Sequence, residues 1–151
     1  MAAPVKGMWL VDDAAAIGNG GRMGVSHPSQ INERFADGVN RGDLDALVAL
    51  FDEDARIVER DGTIAQGAAA HRVHLAGLLS LGGTMRSENR STVIVDDIAL
   101  VTAAWTITDA ASSVIAAATS AEVLRRRVDG TWAYIVDHPF AGPPAVADAP
   151  P

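Results

Sequence analysis

The sequence predicts an α+β domain in which three helices precede a run of antiparallel strands. Three observations carry that prediction. Apolar residues recur at helical spacing through the first half of the chain, first as Ile31, Phe35 and Val39, then as Leu44, Leu47, Val48 and Phe51, and then as Val73, Leu75, Leu78, Leu79 and Leu81. Beyond Met85 the pattern changes to short runs rich in β-branched residues. Turn-forming pairs fall between these segments, at Gly42-Asp43, Asp61-Gly62, Gly82-Gly83, Asp96-Asp97 and Asp129-Gly130.

Each element follows from its local chemistry. Residues 1–26 hold Gly18, Gly20, Gly21 and Gly24 without sustained periodicity, and are expected to form a flexible arm. Ser26 or Ser29 can cap the first helix, with Pro28 tolerated in its opening turn. The stripe of Ile31, Phe35 and Val39 carries that helix to Asn40. Gly42 suits a left-handed helix end, and the Asp43 carboxylate can accept from the free N–H groups of a second, short helix. A strand follows, and Asp61-Gly62 is expected to make a two-residue hairpin turn into a short second strand. Gly67 opens the third helix, residues 68–81, and Gly82-Gly83 stops it. Strands are expected over residues 90–95, 98–107, 112–128 (bent near Ser120) and 132–138, with Pro139 ending the pairing. Residues 27–141 form the folded domain, and residues 142–151 are expected to be a disordered Pro/Ala tail.

Composition narrows the function classes. A chain of 151 residues is long enough to bury a real core. Its net charge of −7 argues against a nucleic-acid partner, which would require a basic footprint. Arg125-Arg126-Arg127 alternates faces on a strand and is too short to supply one. The chain has no cysteine, which excludes disulfides, thiolate metal sites and a cysteine nucleophile. No apolar run reaches the length of a membrane span, and no apolar core separates Lys6 from Asp12 and Asp13 as a signal peptide would require. The expected location is the cytoplasm.

The run Val39-Asn40-Arg41-Gly42-Asp43, then Leu47 to Phe51, Asp54-Ala55, Gly62 and Gly67, resembles the NTF2-like superfamily, which includes ketosteroid isomerases and the SnoaL-like polyketide cyclases. The stretch from Val123 to Trp132, with His138, is similar to the same group, and also to the association domain of calmodulin-dependent kinase. The resemblance spans roughly residues 28 to 141. It implies a cone, with three N-terminal helices packed on a curved, mostly antiparallel sheet, and a homodimer formed through that sheet.

The resemblance also implies a site. It places Glu59 where ketosteroid isomerases keep the aspartate that moves a proton beside a ketone. Alternation puts Ala55 and Ile57 on the same face as Glu59, which is what a cavity wall would supply to a base. The same alignment sets Phe35 at the position of the oxyanion tyrosine, and phenylalanine cannot donate a hydrogen bond. Glu122 falls near the second oxyanion donor, a protonated aspartate. A surface glutamate paired with Arg125 or Arg126 is the competing reading. His138 ends the last strand as a candidate acid or base, or as a structural hydrogen-bonder; alternation sends it and Asp137 to opposite faces. Phe35, Ile57, Met85, Trp105 and Trp132 are the expected apolar ligand contacts. His71 and His74 share a helix face without a third ligand, and read as surface histidines rather than as a metal site.

Two functions from different classes remain open. One is binding of a small, largely apolar ligand in the cone, with acid–base isomerisation or cyclisation of a carbonyl compound, Glu59 taking the proton and His138 or Glu122 assisting; such chemistry requires no metal or organic cofactor. The other is a non-catalytic binding or dimerisation module whose cone is filled by side chains. An open pocket of a few hundred Å³ separates the first from the second.

Overall fold

The computed structural model describes residues 24–145, and the expectations for residues 1–23 and 146–151 lie outside them. A single turn of 3₁₀-helix at Pro28–Gln30 leads into α1 (Ile31–Arg41) and α2 (Leu44–Val48). Then come β1 (Phe51–Val58), β2 (Ile64–Gln66), α3 (Ala68–Ser80), β3 (Thr84–Val95), β4 (Ile98–Thr108), β5 (Val114–Arg126) and β6 (Trp132–Gly142). The strands form one six-stranded sheet in the order β2-β1-β6-β5-β4-β3. All neighbours are antiparallel except β1 and β6. Three helices on one curved six-stranded sheet, with α3 entering between β2 and β3, make the α+β cone that the sequence predicts.

The helices form where the sequence caps them. Gly42 ends α1 at φ 64°, its N–H reaching back to the Gly38 and Val39 carbonyls. The Asp43 side chain accepts from the Ala46 N–H at 3.0 Å and opens α2. Ile31 and Phe35 of α1, Leu47 of α2 and Leu75 of α3 are buried against Ala99, Val101, Trp105 and Ile107 of β4 and Leu124 of β5 in one continuous core. Phe35, Phe51 and Tyr134 meet edge-on or tilted, with centroids 4.7–6.4 Å apart. Each such side chain contributes about 1.5–3 kcal/mol by leaving water. Asn40 fastens α1 to the sheet edge, donating from Nδ2 to the Met85 carbonyl (2.9 Å) and accepting the Met85 N–H at Oδ1 (2.7 Å).

Several expectations are corrected. The Asp61-Gly62 turn is a three-residue loop: Gly62 N–H donates to the Glu59 carbonyl, Glu59 N–H donates to the Thr63 carbonyl, and Gly62 takes φ 86°. The loops at Asp109–Ser113 and Arg127–Thr131 repeat this pattern, with Ser112 and Gly130 at positive φ. Strand β3 begins at Thr84, six residues before the expected start, because its outer face is polar and exposed and lacks the apolar alternation that marks a strand. Strand β6 runs through Pro139 to Gly142. Its register shifts between the His138 and Gly142 pairings, so Pro139 sits where the ladder needs no N–H. Val25, within the expected arm, is buried and pairs with Trp132.

Candidate functional site

A pocket of about 410 Å³ opens between the helices and the sheet. Its apolar wall is Phe35 of α1, Val73, Leu78 and Leu81 on or just beyond α3, Met85 of β3, Trp105 of β4, and Phe140 of β6. The Trp105 indole N–H donates to the Pro139 carbonyl at 2.7 Å and stacks edge-on to Phe140, which holds both rings in place. The polar lining separates into a buried group and a more exposed group.

The buried group is Asn32, Ser120, Glu122, Tyr134 and Asp137. Glu122 and Asp137 are direct cross-strand partners on β5 and β6, only 2% and 7% exposed. The Tyr134 hydroxyl donates to Asn32 Oδ1 at 2.8 Å, and Asn32 Nδ2 donates to Glu122 Oε2 at 3.1 Å. Burial pushes the Glu122 carboxyl up from 4.5 to about 7, against the lowering effect of its hydrogen bonds from Ser120 and Asn32. Burial raises Asp137 well above the usual carboxylate range, and the neighbouring Glu122 raises it further. Tyr134 is likewise raised, first by burial and then by Glu122 and Asp137, so its hydroxyl keeps its proton. Burial and mutual repulsion thus both favour a shared proton on this pair, which would let it offer a hydrogen-bond donor to the pocket.

The second group is Glu59, in the loop after β1, and His74 of α3. His74 Nδ1 lies 2.9 Å from Glu59 Oε2, with the side chains 16% and 35% exposed. One turn earlier on the same helix, His71 is buried and its Nε2–H donates to the Ala55 carbonyl at 2.6 Å. Residues three apart on α3 thus reach points four apart along the β1 chain. Both histidines depart from the surface reading: the sequence shows their shared helix face but not that this face lies on β1. Among the described residues no group of three or more His, Asp or Glu side chains converges as metal ligands.

The pocket brings together Phe35, Glu59, Met85, Trp105 and Glu122 from the residues singled out in the sequence, and not Ile57, Trp132 or His138. Ile57 is fully buried in the core. Trp132 pairs with Val25 and lies beneath the Arg126 guanidinium, 5.9 Å from the ring centroid. His138 pairs with Ala121, and its buried Nδ1 has no hydrogen-bond partner among the described residues. Sequence reasoning missed Asn32, His74, Ser120, Tyr134 and Asp137. Asn32 was within reach, being three residues before Phe35 and on the same helical face.

The model of the SnoaL-like domain family matches residues 32–135. Among solved structures, a ketosteroid isomerase-like protein from Erwinia carotovora is 24% identical, with a TM-score of 0.59 over 72% of this chain and 88% of that one. An NTF2-like protein of unknown function from Pseudomonas putida is 20% identical, with a TM-score of 0.61 over 81% and 92%. A Thiobacillus denitrificans domain, named provisionally as a calcium/calmodulin-dependent protein kinase II association domain, is 16% identical, with a TM-score of 0.63 over 74% and 91%. At these identities the likeness establishes the fold alone. No curated protein matches the sequence. Among the described residues no helix is long and apolar enough to cross a membrane.

Proposed function

The chain belongs to the SnoaL-like domain family, and on that premise we propose that it binds a small, largely apolar carbonyl compound and moves a proton on it, in an isomerisation or cyclisation. One observation carries this reading: a buried carboxyl pair on facing strands, Glu122 and Asp137, each held by burial above its ordinary range, lines a largely apolar pocket that also holds a carboxylate–imidazole pair. The buried pair donates to the carbonyl oxygen and stabilises the enolate that forms when an adjacent C–H loses its proton. A single well-placed donor of this kind is worth about 2.7–4 kcal/mol in a water-poor site. The Glu59–His74 pair accepts the proton and returns it to a neighbouring carbon, a role that typically contributes about 10²–10⁴-fold. Asn32 and Tyr134 restore the donor capacity that Phe35 lacks, by fixing the orientation of Glu122.

A cone filled by side chains would favour the module reading, and the open volume of about 410 Å³ favours a ligand. The outward sheet face exposes Val93, Val95, Ile98 and Leu100, which supports a homodimer built on that face. Sedimentation of the purified protein tests the dimer. The ligand reading is tested by thermal shift with planar phenols, which mimic an enolate. A phenol at 100 times its Kd stabilises the folded state by about 2.7 kcal/mol. The expected result is stabilisation of the wild type that weakens in Glu122→Gln. Phenols that leave both melting temperatures unmoved would refute the carbonyl site.

A further inference from the structure

Resting on the carbonyl reading above, we infer that the proton acceptor is His74, through Nε2, and that Glu59 is its positioning residue. The hydrogen bond between the two decides the division of roles. A carboxylate has only acceptor sites, so the 2.9 Å contact places the imidazole proton on Nδ1. The neutral ring then carries its lone pair on Nε2, which has no protein partner among the described residues. His74 sits on α3 between Val73 and Gly77, within the pocket lining, and is the less exposed member of the pair. Glu59 Oε2 is already occupied by the N–H.

The reacting electrons balance within the site. The proton on the carbon beside the carbonyl moves to His74 Nε2, and the C–H electron pair forms the enolate double bond. The carbonyl oxygen gains charge, which the Glu122–Asp137 donor stabilises. The imidazolium is held by the Glu59 carboxylate until it returns the proton to carbon. The other ionisable side chains of the pocket lining are Glu122, Tyr134 and Asp137 from the sheet, and Arg60, next to Glu59 in the chain, holds its guanidinium 4.8 Å over the ring of Phe140, which lines the same pocket. On the helix itself, Arg72 is drawn to Asp45 at 2.6 Å and His71 is fastened to Ala55.

The test is solvent-deuterium exchange into a small β,γ-unsaturated cyclic ketone, followed by NMR from pH 5 to 9 for the wild type, His74→Gln and Glu59→Gln. Glutamine at 59 keeps a carbonyl acceptor for Nδ1–H, and glutamine at 74 keeps an N–H donor for Glu59. His74→Gln should lower the exchange rate about 10²–10⁴-fold. Glu59→Gln should lower it only about tenfold, because the ring keeps an acceptor for Nδ1–H and loses only the carboxylate's charge. A Glu59→Gln loss equal to or larger than that of His74→Gln overturns the assignment and leaves the carbonyl reading intact. Absence of exchange in the wild type overturns both. Independently of activity, ¹⁵N NMR of the histidine ring should show the Nδ1–H tautomer, and an Nε2–H tautomer overturns the inference.

Discussion

Replacing Glu122 by glutamine should make the protein more stable at alkaline pH than at acidic pH, relative to the wild type. The cause is a proton that the folded wild type holds. In the unfolded chain the Glu122 carboxyl has its ordinary value of 4.5, and in the fold burial raises it to about 7. Between those two values the folded state binds a proton that the unfolded state has released. Stability therefore falls as pH rises through this window and is fully present only below about 4.5. The span corresponds to about 3 kcal/mol. Glutamine still offers a carbonyl to Asn32 Nδ2 but carries no charge to desolvate. It also removes Glu122 as one of the two causes raising Asp137. Urea denaturation of both proteins at pH 5, 6, 7 and 8, at fixed protein concentration and ionic strength, reads the difference directly. The variant should gain about 2–3 kcal/mol on the wild type between pH 5 and pH 8, since part of the span is already lost by pH 5. Stability curves that run parallel across this range would refute a buried, proton-holding Glu122.

Other perturbations probe the framework and the pocket. Gly77→Leu adds a side chain where a Cβ meets nothing within 4 Å, and should raise stability by about 0.5–1 kcal/mol through helix propensity while abolishing phenol binding in the thermal-shift assay. Tyr134→Phe leaves the Asn32 carbonyl without its buried donor, at a cost of about 1–3 kcal/mol in chemical denaturation. Asn40→Ala breaks both bonds between α1 and the Met85 backbone and should cost a similar 1–3 kcal/mol, roughly, by the same measurement. Gly83→Ala is strained at φ +86° and brings a Cβ to 2.4 Å from the Thr108 carbonyl, so a loss of at least about 1–3 kcal/mol is expected in melting experiments.

The parts of the fold legible in the sequence are those set by local chemistry. Gly42 and Asp43 announce a helix end and a new cap, and both act as read. The stripe of Ile31, Phe35 and Val39 marks the buried face of α1, though it passes over Asn32, which joins that face as a polar member. What escaped depends on contacts distant in sequence. Helical spacing reveals that His71 and His74 share a face, but only the packing of α3 along β1 makes one a buried pin and the other a partner of Glu59. Asn32, Tyr134 and Glu122 lie up to 102 positions apart and are joined by tertiary hydrogen bonds that no local period encodes.

A single inserted residue determines which end-of-strand side chain meets the pocket. Strict alternation carries the face of Trp132 and Tyr134 onward through Val136 to His138. In the sheet, Leu124 pairs with Tyr134 but Val123 pairs with Val136, so Ile135 is extra. That bulge turns Asp137 inward beside Tyr134 and sets it opposite Glu122. Two carboxyls on facing strands, both desolvated, cannot both ionise cheaply, and this is why each is held above its ordinary range. A pair that keeps its proton acts as a donor and is unsuited to be the base. The bulge therefore does more than exchange one candidate for another: under the proposed proton-transfer reading, it makes the buried group the acid and leaves proton acceptance to the only other ionisable pair in the described lining, Glu59 and His74.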